Sequence, residues 1–198
     1  MIGYLVAGLV GLGGIYATNY IRQDMHRPFI DYVAENYPYP LSVAEIGVFW
    51  GSNAMRMMNR LDISELHLID PYTKYEGYKK EQWLFPFMPV SFEPVLDFLA
   101  TSEKPTHIVP YEMTSEDAAS CIPDGLDAVY IDGNHSYEYV KKDIELYYPK
   151  VRSGGIIGGH DIDGNPISHE VQQAVYEFAD TYNLEVFTDS PDWWIVKP

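Results

Sequence analysis

The chain reads as a doubly wound α/β domain, a mostly parallel seven-stranded sheet closed by a C-terminal antiparallel hairpin. Three observations predict this class. From residue 24 onward, short apolar runs of strand length alternate with segments of helical spacing, and repeated βα alternation gives a parallel sheet covered by helices on both faces. Several of those runs end on an acid or a glycine, with a polar loop and a helix behind them. The last two runs are joined through Thr188 to Asp192, which reads as an antiparallel hairpin.

Asp24 to Asn36 carries Phe29, Ile30, Tyr32 and Val33 at helical spacing and ends before Pro38 and Pro40. Ser42 to Val48 is a buried strand bounded by Gly47, and Ser52 or Asn53 caps a helix through Met55, Met57, Met58 and Leu61. Leu66 to Asp70 is a second strand. Phe92 to Thr101 is helical, and Thr106 to Pro110 is a short third strand. Thr114 with Asp117 starts a helix through Ala119 in the manner of a capping box. Leu126 to Asp132 is the fourth strand, Ser136 to Tyr148 a helix stopped by Pro149, and Gly154 to His160 the fifth strand. Val171 to Tyr182 is an amphipathic helix, followed by strands at Leu184 to Phe187 and Trp193 to Val196.

The 198 residues, 22.6 kDa, make one domain with a core large enough to need no disulfide or metal staple. Thirteen basic against 29 acidic residues give a net charge of −16, which repels phosphate backbones and excludes non-specific nucleic-acid binding. A small cationic or neutral ligand suits that surface better. The lone Cys121 forms no internal disulfide and fits a reducing, cytoplasmic compartment.

Residues 1–23 stand apart from the domain at 24–198. No charge occurs before Arg22, and Met1 to Ile21 is about long enough to span a bilayer, with Gly3, Ala7 and Gly11 at small-xxx-small spacing. Arg22, His26 and Arg27 would then keep the domain on the cytoplasmic side. The other reading is a helix packed on a soluble protein. A phosphate-binding loop at Gly8 to Gly14 is rejected, because no strand precedes it.

In a doubly wound sheet, ligands bind beyond the carboxyl ends of the strands where the strand order reverses. Four clusters fall there. Glu45-Ile-Gly47-Val-Phe-Trp-Gly51-Ser52 offers a sharp turn, close backbone approach and a helix N-terminus. Asp70 ends the second strand, where an acid can accept from both hydroxyls of a ribose. Asp132 opens an Asp-Gly-Asn-His loop, and His160-Asp161 follows the fifth strand. Neighbouring strands lie about 5 Å apart, so Asp132 and Asp161 can meet across one cleft, there to bind a divalent cation or share general-base work. The plainer alternative is that both acids only cap helices.

These motifs resemble the class I S-adenosylmethionine-dependent methyltransferases, in particular the macrocin O-methyltransferase-like and cephalosporin hydroxylase-like group. The similarity runs from Val43 to the C-terminus. It is carried by VAEIGVFWGSNAMRM (Val43 to Met57), HLIDPY (His67 to Tyr72), MTSEDAA (Met113 to Ala119), the long block Tyr130 to Asp163, and the closing DWWIVKP. The resemblance implies a Rossmann-like fold and methyl transfer, here to a hydroxyl of a small molecule or sugar. It implies that Glu45, Gly47, Gly51 and Ser52 surround the methionine part of the cofactor and that Asp70 holds the ribose. Tyr72 would lie beside the adenine, and Thr114 and Ser115 near it. Asp132, His160 and Asp161 match positions that hold Mg²⁺ in metal-assisted relatives. His160-Asp161 departs from the pair of acidic or amide residues found in some of them.

With Asp132 and Asp161, His135 completes the catalytic candidates, either as a base near neutral pH or as a structural partner of a carboxylate. The aromatic insertion from Pro71 to Pro105, with Tyr75, Tyr78 and Trp83, suits a cover over an acceptor or a satellite core. A homo-oligomer remains open. Two competing functions are an NAD-dependent oxidoreductase, which lacks its glycine fingerprint here, and a non-enzymatic, membrane-tethered binding module on the same fold.

Overall fold

The computed structural model describes residues 27–73, 86–163 and 168–198. The apolar segment expected to anchor the chain, and the aromatics Tyr75, Tyr78, Trp83 and Phe85, lie outside the described residues. Among the described residues no helix is long and apolar enough to cross a membrane.

Helix α1 (Pro28–Asn36) opens on a proline, whose fixed φ suits a first helical turn. It leads into β1 (Leu41–Ile46), α2 (Ser52–Arg60), β2 (Ile63–Ile69), α3 (Glu93–Leu99) and β3 (His107–Tyr111). A single turn, α4 (Ser115–Ala118), precedes β4 (Leu126–Ile131), α5 (Tyr137–Tyr147) and β5 (Val151–Gly159). The chain closes with α6 (Ser168–Tyr182), β6 (Phe187–Asp189) and β7 (Asp192–Val196).

The seven strands form one sheet in the order β3-β2-β1-β4-β5-β7-β6. The first five are parallel, and β7 runs antiparallel to both β5 and β6. The winding reverses at β1: β2 and β3 extend the sheet one way, β4 and β5 the other. A crevice therefore opens beyond the ends of β1 and β4, the switch point of a doubly wound fold. This is the Rossmann-like architecture expected from the sequence.

Because side chains alternate along a strand, each strand feeds two cores. Leu41 and Val43 of β1, Leu66 and Leu68 of β2, and Tyr130 of β4 pack with Phe29, Met57, Val95 and Leu99 on one face. Ala44, Ile46, Ile69, Val129 and Ile131 pack with Val140, Ile144, Val175 and Phe178 on the other. Trp193 and Trp194 sit back to back on β7, one in each core.

Some boundaries differ from the sequence reading, for local reasons. Gly51, in a left-handed conformation, occupies the N-cap of α2, so neither Ser52 nor Asn53 caps it; the Asn53 amide is turned to Glu45 instead. The expected strand at Leu184 begins only at Phe187, because Asn183 turns left-handed and Leu184 N donates to Ala179 O at 2.9 Å, closing α6. The hairpin is correspondingly tighter, with Asp189 paired to Asp192.

Fully buried Asp192 ties three elements together. Its carboxylate accepts from Phe29 N at 3.2 Å and from the Tyr130 hydroxyl at 2.8 Å, and the Arg27 guanidinium lies 3.9 Å away. This pins the start of α1 to β4 and β7. Tyr130→Phe removes one donor from a buried carboxylate, so unfolding free energy in urea should fall by about 1–2 kcal/mol, with Tm lower by roughly 2–8 °C.

Candidate active site

The crevice is furnished by register. Ile46 of β1 pairs with Ile69 of β2 and Ile131 of β4, and Ile131 pairs with Gly159 of β5. One step further along each strand stand Gly47, Asp70, Asp132 and His160. Backbone bonds extend the ladder into this row: Gly47 N donates to Ile69 O at 2.9 Å, Asp132 N to Ile46 O at 2.8 Å, and His160 N to Ile131 O at 3.1 Å. Sequence reasoning had singled out all four residues, and the parallel register brings them together.

Gly47 is the narrowest point. Its φ is +84°, and a Cβ there would lie 2.1 Å from the Asp132 carbonyl oxygen, so the loops after β1 and β4 cross only because that position has no side chain. Gly51 (φ +76°) would place a Cβ 2.9 Å from Val95 of α3, so its bareness serves packing. Ser52 is the first residue of α2, directly behind that turn.

Glu45 lies two residues before Gly47 on the same face, 1 % exposed. Its Oε1 accepts from the Asn53 amide at 2.9 Å. Its Oε2, like the Asn53 Oδ1, is buried without a hydrogen-bond partner among the described residues. Desolvation pushes the Glu45 carboxyl up to about 8, the Asn53 bond opposing only in part. Once Glu45 is ionised, these two orphaned acceptors, on side chains joined by a hydrogen bond, fit the ammonium end of a positively charged amino-acid ligand. Asn53 was missed as a site residue because its sequence position read as a helix cap.

Asp70, 5 % exposed, is turned toward the chain itself. One oxygen accepts from Val48 N at 3.0 Å and Phe49 N at 2.9 Å; the other accepts from Tyr72 N at 2.9 Å. Burial raises its pKa, and the three amide bonds pull the other way. Tyr72 is buried, donates its hydroxyl to Phe49 O at 2.9 Å, and meets Phe92 edge-on at 4.8 Å.

On the other side of the crevice Asp132, His135 and Asp161 converge, with one ligand-type atom of each within 4.8 Å of the others. His135 Nε2 lies 2.9 Å from Asp161 Oδ2 and 3.4 Å from Asp132 Oδ1. Asp161, two residues beyond β5, is in a left-handed conformation, φ 61°, which acidic residues tolerate better than most. His160 Nδ1 sits 3.1 Å from the same Asp161 oxygen, and its buried Nε2 has no hydrogen-bond partner among the described residues. Burial alone would raise Asp132, but His160 and His135 hold it below the usual carboxylate range. Asp161 is likewise held well below that range against burial, by hydrogen bonds from both imidazoles. His160 is raised against burial by Asp132 and Asp161. The cluster takes in His135 beside the Asp132, His160 and Asp161 named from the sequence, and His160 Nδ1 itself lies 3.8 Å from Asp132 Oδ1.

Thr114 caps α4, its Oγ1 accepting from Asp117 N at 3.2 Å. Ser115 donates to buried Asp143, which burial pushes up to about 7, and its carbonyl accepts from Tyr147. The side chains of Thr114 and Ser115 therefore fasten α4 to itself and to α5. Asp143, Asp192 and Arg27 were not legible as site-shaping residues, since each acts through partners far away in sequence.

A family model described as a methyltransferase domain matches residues 44–162, more than half of the chain. The chain belongs to that family. Its place among the class I S-adenosylmethionine-dependent methyltransferases agrees with the fold, and solved methyltransferases share it. The O-methyltransferase NovP superposes with a TM-score of 0.61 at 20 % identity, covering 86 % of this chain and 78 % of that one. The calicheamicin methyltransferase CalS11 gives 0.62 at 14 % identity over 98 % and 90 % of the two chains. A methyltransferase of Podospora anserina, PaMTH1, with S-adenosylhomocysteine bound, gives 0.57 at 10 % identity over 92 % and 78 %. At such identities the likeness is one of fold. The uncharacterized protein R132 of Acanthamoeba polyphaga mimivirus is 29 % identical over 169 residues, 80 % of this chain and 72 % of its own.

Two outcomes follow for this methyltransferase. Gly47→Ala should cost on the order of 3 kcal/mol in unfolding free energy and abolish cofactor binding in calorimetry. With Glu45 raised to about 8, the protein alone binds a proton there at pH 7 that its unfolded chain has lost. That contribution to stability is present below about pH 4.5 and is lost as pH rises through about 8. A cationic ligand on Glu45 should therefore expel a proton. Binding heats measured at pH 7 in buffers of different ionisation enthalpy should differ, and Glu45→Gln should remove the difference.

Proposed function

We propose that this methyltransferase moves the methyl group of S-adenosylmethionine to a hydroxyl oxygen of a small molecule or sugar. The observation that carries the reading is the pairing of two chemistries across the β1–β4 crevice. Glu45 and Asn53 present unmatched acceptors on one side, and an imidazole held between two carboxylates stands on the other. When bound, S-adenosylmethionine supplies a methyl already activated on its sulfonium, so the C–S bond breaks as the new C–O bond forms.

The chain's own task is then alignment and proton removal. Glu45 and Asn53 hold the ammonium end, and the Gly47 turn lets the backbone approach it. The His135 imidazole takes the acceptor's hydroxyl proton as the oxygen attacks, and Asp132 and Asp161, which face its Nε2, stabilise the imidazolium. Products are the methyl ether and S-adenosylhomocysteine, with the proton left on His135 for later release to water.

Asp132, His135 and Asp161 are also the residues that would hold a divalent ion, where it would acidify the acceptor hydroxyl. The carboxylates suit Mg²⁺, whereas an imidazole ligand favours Mn²⁺ or Zn²⁺.

The test is calorimetric titration with S-adenosylmethionine and S-adenosylhomocysteine, followed by labelled-methyl transfer to a panel of hydroxyl acceptors with added Mg²⁺, Mn²⁺ or EDTA. Micromolar binding and label in an ether are expected. Asp161→Asn should lower kcat by about 10²- to 10⁴-fold while the KM for the methyl donor changes by less than about threefold. No binding of either cofactor form overturns the proposal.

A further inference from the structure

Two bulky residues flank Asp70 in left-handed backbone: Phe49 at φ 51° and Tyr72 at φ 46°. This region is disfavoured for side chains of their kind, so something must hold them there. Asp70 touches both. Its Oδ2 accepts from Val48 N and Phe49 N, its Oδ1 accepts from Tyr72 N, and the Tyr72 hydroxyl closes the ring by donating to Phe49 O.

The arrangement also shapes the turn after β1. Gly51 N donates to Val48 O at 2.8 Å, placing Phe49 inside the turn, and the Trp50 indole donates to Phe87 O at 2.7 Å. A carboxylate has about four lone-pair directions. Three are spent on main-chain amides, and the group is 5 % exposed. What remains does not suffice for a ribose diol, which asks for two acceptors from the same acid.

We infer that Asp70 is a positioning residue: its carboxylate latches Phe49 to Tyr72 and fixes the turn that receives the methyl donor, and it does not bind the ribose hydroxyls. The backbone part of this inference stands by itself; the cofactor part rests on the methyl-donor reading above.

Hydrogen exchange on the wild-type protein without ligand comes first. The amides of Val48, Phe49 and Tyr72 are expected to be protected before any cofactor is added, and fast exchange at all three overturns the latch without need of a variant. Asp70→Asn should then speed their exchange about tenfold or more and leave the β1 amides unchanged. Phe49→Gly relieves the left-handed position and should restore most of the loss when combined with Asp70→Asn.

For the cofactor part, S-adenosylhomocysteine and its 2′-deoxy and 3′-deoxy analogues are titrated into wild type and Asp70→Asn. The factor lost on removing each hydroxyl should be the same in both proteins, within about twofold. A deoxy penalty that disappears in Asp70→Asn makes Asp70 the ribose ligand and overturns the inference. In turnover, Asp70→Asn should raise the KM for the methyl donor about tenfold, with kcat at saturation within about twofold. A protein that binds none of these nucleosides refutes the methyl-transfer reading, while the exchange measurements still decide the latch.

Discussion

The parallel ladder between β1 and β4 is the constraint on which the site depends. Pairing Ile46 with Ile131 commits the next residue of each strand, Gly47 and Asp132, to meet at the switch point, and the chain crosses itself there with no room for a side chain. Extending the same register to β2 and β5 puts Asp70 and His160 in line with them. A slip of one residue in any of these strands would reverse which side chains face the helices and which face the opposite core. The two apolar clusters resist that slip, so the core holds the chemistry in place.

Five acidic residues lie at or near this edge, and they meet the cost of burial in different ways. Asp70 is neutralised in effect by three main-chain amides, and Asp192 by an amide, a phenol and the nearby Arg27. Asp132 and Asp161 share two imidazoles. Glu45 has, among the described residues, the Asn53 amide alone. Its carboxyl is the one that burial pushes up to about 8, so the unmet electrostatic demand of the crevice falls where the cationic end of a methyl donor would sit. The overall charge of −16 contributes little to such selectivity, because exposed charges more than about 10 Å apart are largely screened at ordinary salt.

Much of this was visible in the sequence because it is local. Strand-length apolar runs ending in Asp70, Asp132 and His160-Asp161 announce both a parallel sheet and the residues at its carboxyl edge, and Gly47 announces a crossing. What a residue does with its side chain after reaching that edge is less visible. An acid at the end of β2 reads the same whether its oxygens face a ligand or the amides of Val48, Phe49 and Tyr72. That His135 joins His160 between the two aspartates depends on the left-handed turn at Asp161 and on how the loop after β4 folds back. Asn53 illustrates the same limit. Its position suits an N-cap by residue type, but Gly51 takes the cap and frees the amide for Glu45.

The geometry of the imidazole cluster also separates two chemistries that sequence motifs treat as one. His135 Nε2 faces Asp161 Oδ2 at 2.9 Å, a distance that requires a proton between nitrogen and oxygen. A metal ion held by the same two atoms would have to replace that proton. With the proton in place, the imidazole is oriented and its charge can be stabilised, which is the condition for a base. With the ion in place, the imidazole is a ligand, and the carboxylates that would stabilise its charge are taken up by the metal. Base catalysis and metal assistance therefore compete for one set of atoms. The second imidazole, His160, sits on the same Asp161 oxygen at 3.1 Å, adding a further proton donor that an incoming cation must displace. In this arrangement any ion has to compete with two imidazoles for the same carboxylate.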